Sequence, residues 1–501
     1  MTLDYDSLSP KPTTTYSVVR ARFLLPLSDQ LGRDARIEDG YILTQEDKII
    51  ECGQYTDDIG MRILSDYTPN LTIVGSKGSN DIPQLDGCLL PGFVKAHGHS
   101  HESPLVGLAK DVPLTEWLDN AVNLFTGFLN EQRDELTAFF KKSPNLITYL
   151  KDRLDDIHYG ITSACIHHCN HNKYRVEEIV QANVMAGTKM VVAVGCQDRN
   201  YDDRILDIPA TLATDRLNKY KELYGTAPRT SVIPGPDQIF SNTDEILKIS
   251  KDWAREHNTR LHCHSSEEPN TTKWFTESHG MTPVQYAEKA GILDENTIFA
   301  HQVNNTEEDL RILSKYKVKI VHNPLANSIL GSGLPDVVTM IDKYNIPVAI
   351  STDGSGSADN QNMLGAAKLA TQYQRGVHAN PRVLPAQQCL EMITRVPAEF
   401  YGWNTGQIAT GFDADWVLVD LTRPNLCPTH VVNVTENLIW AADGSEIQYV
   451  MANGVLVKDD YKVTVIDSDE LCSEIKVLTD MLLDYMKTAK QIKCTGAHGN
   501  N

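Results

Sequence analysis

Between Leu89 and Trp403 the chain alternates short apolar runs with amphipathic stretches of helix length, a rhythm that few folds accept. The runs are Leu89–Val94, Ile161–Ile166, Met190–Val194, Thr230–Pro234, Thr259–Cys263, Thr297–Ala300, Val318–Val321 and Pro347–Ser351. Helical patterns such as Val176–Ala186, Asp244–Glu256, Glu307–Lys315 and Leu364–Gln374 lie between them. A strand that returns through a helix re-enters its sheet in the same direction, so eight such repeats predict a parallel α/β architecture. Eight units fit a closed (β/α)8 barrel of the TIM type better than an open sheet.

Both ends of the chain read differently. Tyr16–Leu27 and Gly40–Cys52, and beyond the repeats Gly406–Ile408, Trp416–Val419 and Val450–Val457, are β-rich segments set among turn residues. Each end is too small to bury a good core alone, so the expectation is one β-sandwich built from both and flanking the barrel. The expected organisation is residues 1–88 and 404–465 as the two parts of that sandwich, 89–403 as the barrel, and 466–501 as a terminal helix (Glu470–Lys490) with a frayed GAHGNN tail.

Composition narrows the class of function. Lys and Arg number 46 against 66 Asp and Glu, a net charge of −20, and such a field repels nucleic-acid phosphate and anionic membrane. No apolar run approaches the roughly 18 residues of a membrane span. The opening MTLDYDSLSPK has neither a basic nor an apolar leader region, and ten irregularly spaced Cys form no disulfide framework. A cytoplasmic protein with reduced thiols is expected, acting on a small molecule and assembling as a homo-oligomer, the common state of acidic soluble barrels of this size.

Chemistry-bearing residues gather at the ends of the predicted strands. PGFVKAHGHSHES places His97 and His99 after the first; residues i and i+2 of a strand share a face. RLHCHSSEE places His264 and Glu267 after the fifth, TIFAHQ places His301 after the sixth, and VAISTDGSG places Asp353 after the eighth. One H-x-H pair among 16 His is no signal, but recurrence at the C-terminal strand ends, where barrel enzymes build their sites, is one. Three imidazoles and a carboxylate suit Zn²⁺, Fe²⁺ or Mn²⁺, and an open position would hold a water whose pKa the ion lowers. Glu267, beside a ligand but not needed as one, suits a general acid/base.

These segments resemble the amidohydrolase superfamily, in its aminohydrolase/chlorohydrolase branch of guanine, cytosine and S-adenosylhomocysteine deaminases and triazine hydrolases. The matching pieces are LLPGFVKAHGH, the lid-like VPLTEWL, LHCHSSEE, IFAHQV, VHNPLANSILGSG, ISTDGSGSADN and GQIATGFDADWVLVD, in order over residues 35 to 460. The resemblance implies one divalent metal ion per chain, zinc foremost, on His97, His99, His264 and Asp353. It implies Glu267 as proton carrier to a ring nitrogen, His301 as partner of the attacking water or substrate, and Asp353 as acceptor of that water's first proton. It implies hydrolytic deamination of a purine-, pyrimidine- or triazine-like heterocycle; the alternative is an amidohydrolase or cyclase that cleaves or forms a ring C–N bond. Binuclear members bridge their ions with a modified Lys at the end of strand four, and TSVIPGPD offers none, so the implied site is mononuclear.

Several deaminases of the branch place a substrate-binding His after strand four, where this chain has Gly235. Ring recognition is instead expected from Glu102, Trp117, His168 and Asn327. Three of them have a plainer reading: Glu102 as a cap, Trp117 as core, and one of the adjacent His167 and His168 as packing, since neighbours on a strand point opposite ways. Cys165, His168 and Cys169 have no second Cys/His pair of proper spacing and are not read as a zinc knot.

Overall fold

Eight short parallel strands carry the middle of the chain in the computed structural model, which describes residues 3–78, 81–212 and 216–487. They are β1 (Phe93–Lys95), β2 (Ile161–His168), β3 (Lys189–Cys196), β4 (Thr230–Pro236), β5 (Leu261–Ser265), β6 (Thr297–His301), β7 (Lys319–His322) and β8 (Val348–Ile350). β1 to β4 form one four-stranded parallel sheet and β5 to β8 another, each in sequence order. All eight residues of β2 and all five of β5 are buried, as expected where both faces of a parallel sheet are covered.

The two sheets meet at both edges. Gln238, just past β4, makes a parallel bridge with His264 of β5, and the His264 N–H donates to the Asp237 carbonyl at 3.1 Å. At the other edge the Ser351 hydroxyl, just past β8, donates to the His97 carbonyl at 2.8 Å.

Strands from both chain ends combine into one nine-stranded sheet. Its junction is the antiparallel pairing of Gln84–Pro91 with Trp416–Asp420, which sets Cys88 opposite Val419 and Leu90 opposite Val417. One face buries Val19, Ile42, Leu89, Trp416, Leu418 and Met451 together.

The expected elements differ in detail. The run Leu89–Val94 is divided at Gly92 between the nine-stranded sheet and β1. Val450–Val457 is a hairpin, Ile447–Ala452 and Val455–Asp459, because Asn453 and Gly454 take positive φ (49° and 79°), the turn that Asn-Gly favours. Gly406–Ile408 is not a strand; Gly406 sits in a turn at φ 79°. The terminal helix spans Ser468–Met486, and the predicted tail at 496–501 lies outside the described residues. Among the described residues no helix is long and apolar enough to cross a membrane, and every cysteine is a free thiol.

One buried charge network fixes β1. Lys95 is fully buried and donates to Asp152 at 3.2 Å and to Asp156 at 2.7 Å, both on the helix Pro144–His158. Arg153 pairs with the same two carboxylates, and the Ser100 hydroxyl donates to Asp152. Removing one partner of such a network leaves buried charge uncompensated. Lys95→Met is therefore expected to cost about 3–5 kcal/mol, read as a lowered urea midpoint at unchanged m-value.

Candidate active site

The strand ends aim five donors at one volume. His97 and His99 follow β1 on one face, their rings edge to face at 4.9 Å. His264 lies within β5, His301 ends β6 and Asp353 follows β8. His301 and Asp353 turn the chain out of their strands at φ 74° and 76°, left-handed values that L-residues adopt at a cost of roughly 1–2 kcal/mol each. Their surroundings hold them there. Asn327 Oδ1 sits 2.8 Å from His301 Nδ1, the Gly354 N–H donates to Asp353 Oδ1 at 2.8 Å, and Gln361 Nε2 donates to the Asp353 carbonyl at 3.2 Å. Gly354 is required by space, since a Cβ there would fall 2.0 Å from a Glu102 carboxylate oxygen.

Hydrogen bonding on the outer side fixes what each ring shows the centre. His99 Nδ1 is 2.9 Å from the His167 carbonyl and His264 Nδ1 is 2.5 Å from the Asp237 carbonyl. A carbonyl only accepts, so both Nδ1 atoms carry the proton and both Nε2 atoms present lone pairs. Those Nε2 atoms lie 3.1 Å apart. His97 Nε2, without a hydrogen-bond partner among the described residues, and His99 Nε2 stand 3.3 and 3.6 Å from Asp353 Oδ1. Lone pairs and a carboxylate packed so closely repel unless a cation lies among them. The donors of His97, His99 and Asp353, and those of His97, His264 and His301, fall within 4.8 Å of one another, and N/O sets of this kind suit a divalent first-row ion. The imidazole of His97 is bonded on its far side by His262 at 2.7 Å, the outer-shell support that orients metal-binding rings.

Burial drives the electrostatics. It holds the imidazoles of His97, His99, His264 and His301 below their usual range and therefore neutral, the state a ligand needs. Two carboxyls diverge. Burial, and then the Asp353 charge, push Glu267 well above the usual carboxylate range. Burial would raise Asp353 too, but positive charge in the facing cluster of His301, His99 and His264, and the Gly354 N–H, outweigh it and hold it low; with those rings neutral, that charge is the part a bound cation would take. Neighbouring carboxyls driven apart in this way can serve as acid and base. Glu267 Oε2 lies 3.6 Å from His301 Nε2 and accepts from Gln238 Nε2 at 3.4 Å.

Glu102 and Trp117 line the same cavity of about 410 Å³, with Asn170, Tyr201 and Leu330 around its wall. Glu102 accepts from the Ser357 backbone at 3.1 Å and from its hydroxyl at 2.9 Å. The remaining two expected contacts are placed elsewhere. Asn327 acts through His301, and the His168 ring packs edge-on against Tyr149 at 5.5 Å, away from the cavity. It is His167 that turns inward, its ring 4.4 Å from that of His264. His101, which follows the metal pair in the sequence, also reaches the cavity; Asp237, Gln238 and His262 are site residues that the strand-end pattern does not single out. The signal for His262 was in LHCH, a second H-x-H whose first member shares the face of His264. Gly235 has its own reason: a Cβ there would meet the Ala193 backbone at 2.9 Å, so this backbone excludes the imidazole of the deaminase pattern.

Residues 88–457 match the Amidohydrolase family. The chain is 29% identical over 470 residues to a 5-methylthioadenosine/S-adenosylhomocysteine deaminase of Thermodesulfovibrio yellowstonii, covering 91% of this chain and 96% of that one. It is 31% identical over 398 residues to a 5'-deoxyadenosine deaminase of Methanosphaera stadtmanae, covering 78% and 87%. Among solved structures, an adenosine deaminase of Xanthomonas campestris with bound zinc superposes with a TM-score of 0.79 at 20% identity, covering 93% of this chain and 98% of that one. With a family match across most of its length, the chain belongs to the amidohydrolase family.

Proposed function

We propose that this protein is a metal-dependent aminohydrolase that replaces the exocyclic amino group of an N-heterocyclic small molecule with oxygen from water, releasing ammonia. The observation that carries this reading is the set of inward-facing Nε2 atoms, 3.1 Å apart at His99 and His264, gathered with Asp353 beneath a buried Glu267. His97, His99, His264 and Asp353 hold the divalent ion, with zinc favoured by the zinc-bound adenosine deaminase of like fold. Held there, the ion would supply the Lewis acidity that makes a water acidic enough to attack near neutral pH.

This chain's own residues carry the rest. Asp353, held low, takes the first proton from the attacking water. Glu267, held protonated, delivers a proton to the ring nitrogen as the new C–O bond forms, and a second proton transfer lets the amine leave as ammonia. His301, fixed by Asn327, orients the water or the ring. Glu102 and Trp117 read and cover the heterocycle, in place of the imidazole that Gly235 excludes. The deaminase relatives act by name on adenosine derivatives, which supports a purine-like ring.

The architecture we infer for residues 89–403 is a closed (β/α)8 barrel. Two observations support it: the hydrogen bonds that join the two four-stranded sheets at both edges, and one apolar cluster that draws Cys165, Val191, Ile233, Ile298, Val321 and Ala349 from six strands. We infer further that residues 1–88 and 404–465 curl into a sandwich beside it, a reading supported by the bridge that joins Lys48 to Asp413 across the sheet's two halves.

Two variants test the chemistry on a panel of amino-substituted heterocycles, with ammonia release as readout. Glu267→Gln keeps the size but cannot carry a proton, and is expected to lower turnover by roughly 10²–10⁴-fold while the metal stays bound. Glu268→Gln is the control: that side chain caps the helix Pro269–His279, accepting from the Asn270 and Thr271 N–H groups, and activity should hold. Full activity in Glu267→Gln would remove the assigned proton carrier. His264→Ala is expected to lose the ion from this centre and with it the activity, measured by elemental analysis. Ring opening without ammonia would favour the amidohydrolase alternative.

A further inference from the structure

Beside the centre described above stands a second group of donors that the proposed reaction does not use. The Cys169 thiol, just past β2, lies within 4.8 Å of donor atoms of His101 and, in a second grouping, of His167 and Asp237. The four come from three separate segments: the turn Ser100–Leu105 after β1, the end of β2, and the chain just past β4. All are buried, with His101 and His167 at 1% and 0% exposure.

Among the described residues, neither ring nitrogen of His101 nor of His167 has a hydrogen-bond partner. His167 Nε2 comes within 3.3 Å of Asp237 Oδ1, yet without hydrogen-bond geometry. Buried polar atoms left unsatisfied cost roughly 1–3 kcal/mol each, and the two of the His167 ring beside the Cys169 thiol call for a partner. Apolar packing would not supply it, and His101, Cys169 and Asp237 all open onto the cavity wall.

We propose that His167, Cys169 and Asp237 form a second divalent-cation site, adjacent to the first, with His101 beside it, and suited to an ion of the zinc class. A thiolate with an imidazole and a carboxylate is a borderline-soft donor set that favours zinc-like ions over magnesium or calcium. Binding displaces the thiol proton to solvent, so one proton leaves for each ion taken up at Cys169. His99 divides the two centres. Its Nε2 faces His264, while its Nδ1, 3.7 Å from Cys169 Sγ, is occupied by the His167 carbonyl. The one-ion expectation rested on the missing strand-four lysine, a bridge this second site does not need. The ion would join the ends of β2 and β4 across the wall of the substrate cavity.

The thiol belongs to the second centre alone, which makes the test selective. The purified protein is stripped with a chelator, reloaded with Co²⁺ and desalted, then assayed for cobalt content and for a thiolate-to-cobalt charge-transfer band in the near ultraviolet. The expected result is about two equivalents of cobalt with the band present. Cys169→Ser should lose the band and fall to about one equivalent; His264→Ala should fall in stoichiometry and keep the band. One equivalent in the wild type, with or without the band, overturns the proposal, as does a band that survives Cys169→Ser. If Cys169→Ser is not recovered folded, Asp237→Asn decides by stoichiometry: about one equivalent supports the site and two overturn it. None of these readouts depends on deaminase activity, so failure here and failure of the catalytic reading are separable.

Discussion

Several lone pairs and a carboxylate aimed at one buried point make a repulsive arrangement, and much of the structure exists to hold them there. The outer nitrogens of His99 and His264 are committed to carbonyls of His167 and Asp237, so neither ring can turn away to relieve its neighbour. His97 is held by His262 and His301 by Asn327. A site built in this way has paid its ordering cost before any ion arrives, which is why preorganised donors bind tightly.

The same constraint explains the strain around the centre. His301 and Asp353 adopt left-handed backbone where glycine would be easier, because only side chains at those turns reach the shared volume. The glycines stand beside them: Gly354 admits the Glu102 carboxylate, and Gly235 lets β4 approach β3. Beneath the centre, the fully buried Lys95 network clamps β1 to the helix Pro144–His158, two residues before the first imidazole. Charges buried this deeply stabilise the fold only as a complete set, and here they anchor the strand that carries two of the donors.

Burial also separates two acids of one cavity. Glu267 lies against Gln238 and the edge of His301, where little compensates its charge, whereas Asp353 faces three imidazoles and a backbone N–H. Position alone, not residue type, sets one high and the other low.

The parallel-strand rhythm, the H-x-H pair, the His and Asp at later strand ends and Glu267 were legible in the sequence because each is a local pattern: apolar runs of strand length, and polar residues where a run stops. The flanking sheet was legible only as β-rich ends; its junction, Gln84–Pro91 against Trp416–Asp420, joins residues too far apart in the chain for periodicity to reveal. Which of two adjacent histidines faced inward was likewise undecided by sequence, because alternation fixes that they oppose and not which one wins; the packing of His168 on Tyr149 settled it. The grouping of His167, Cys169 and Asp237 carries no spacing signature at all, since the ends of β2 and β4 lie far apart in the chain and only their shared parallel sheet brings them together. Sequence determined which strand ends carry the histidines and carboxylates; tertiary structure alone decided which side chains share a volume, because donor geometry is a property of distances in space and not of positions along the chain.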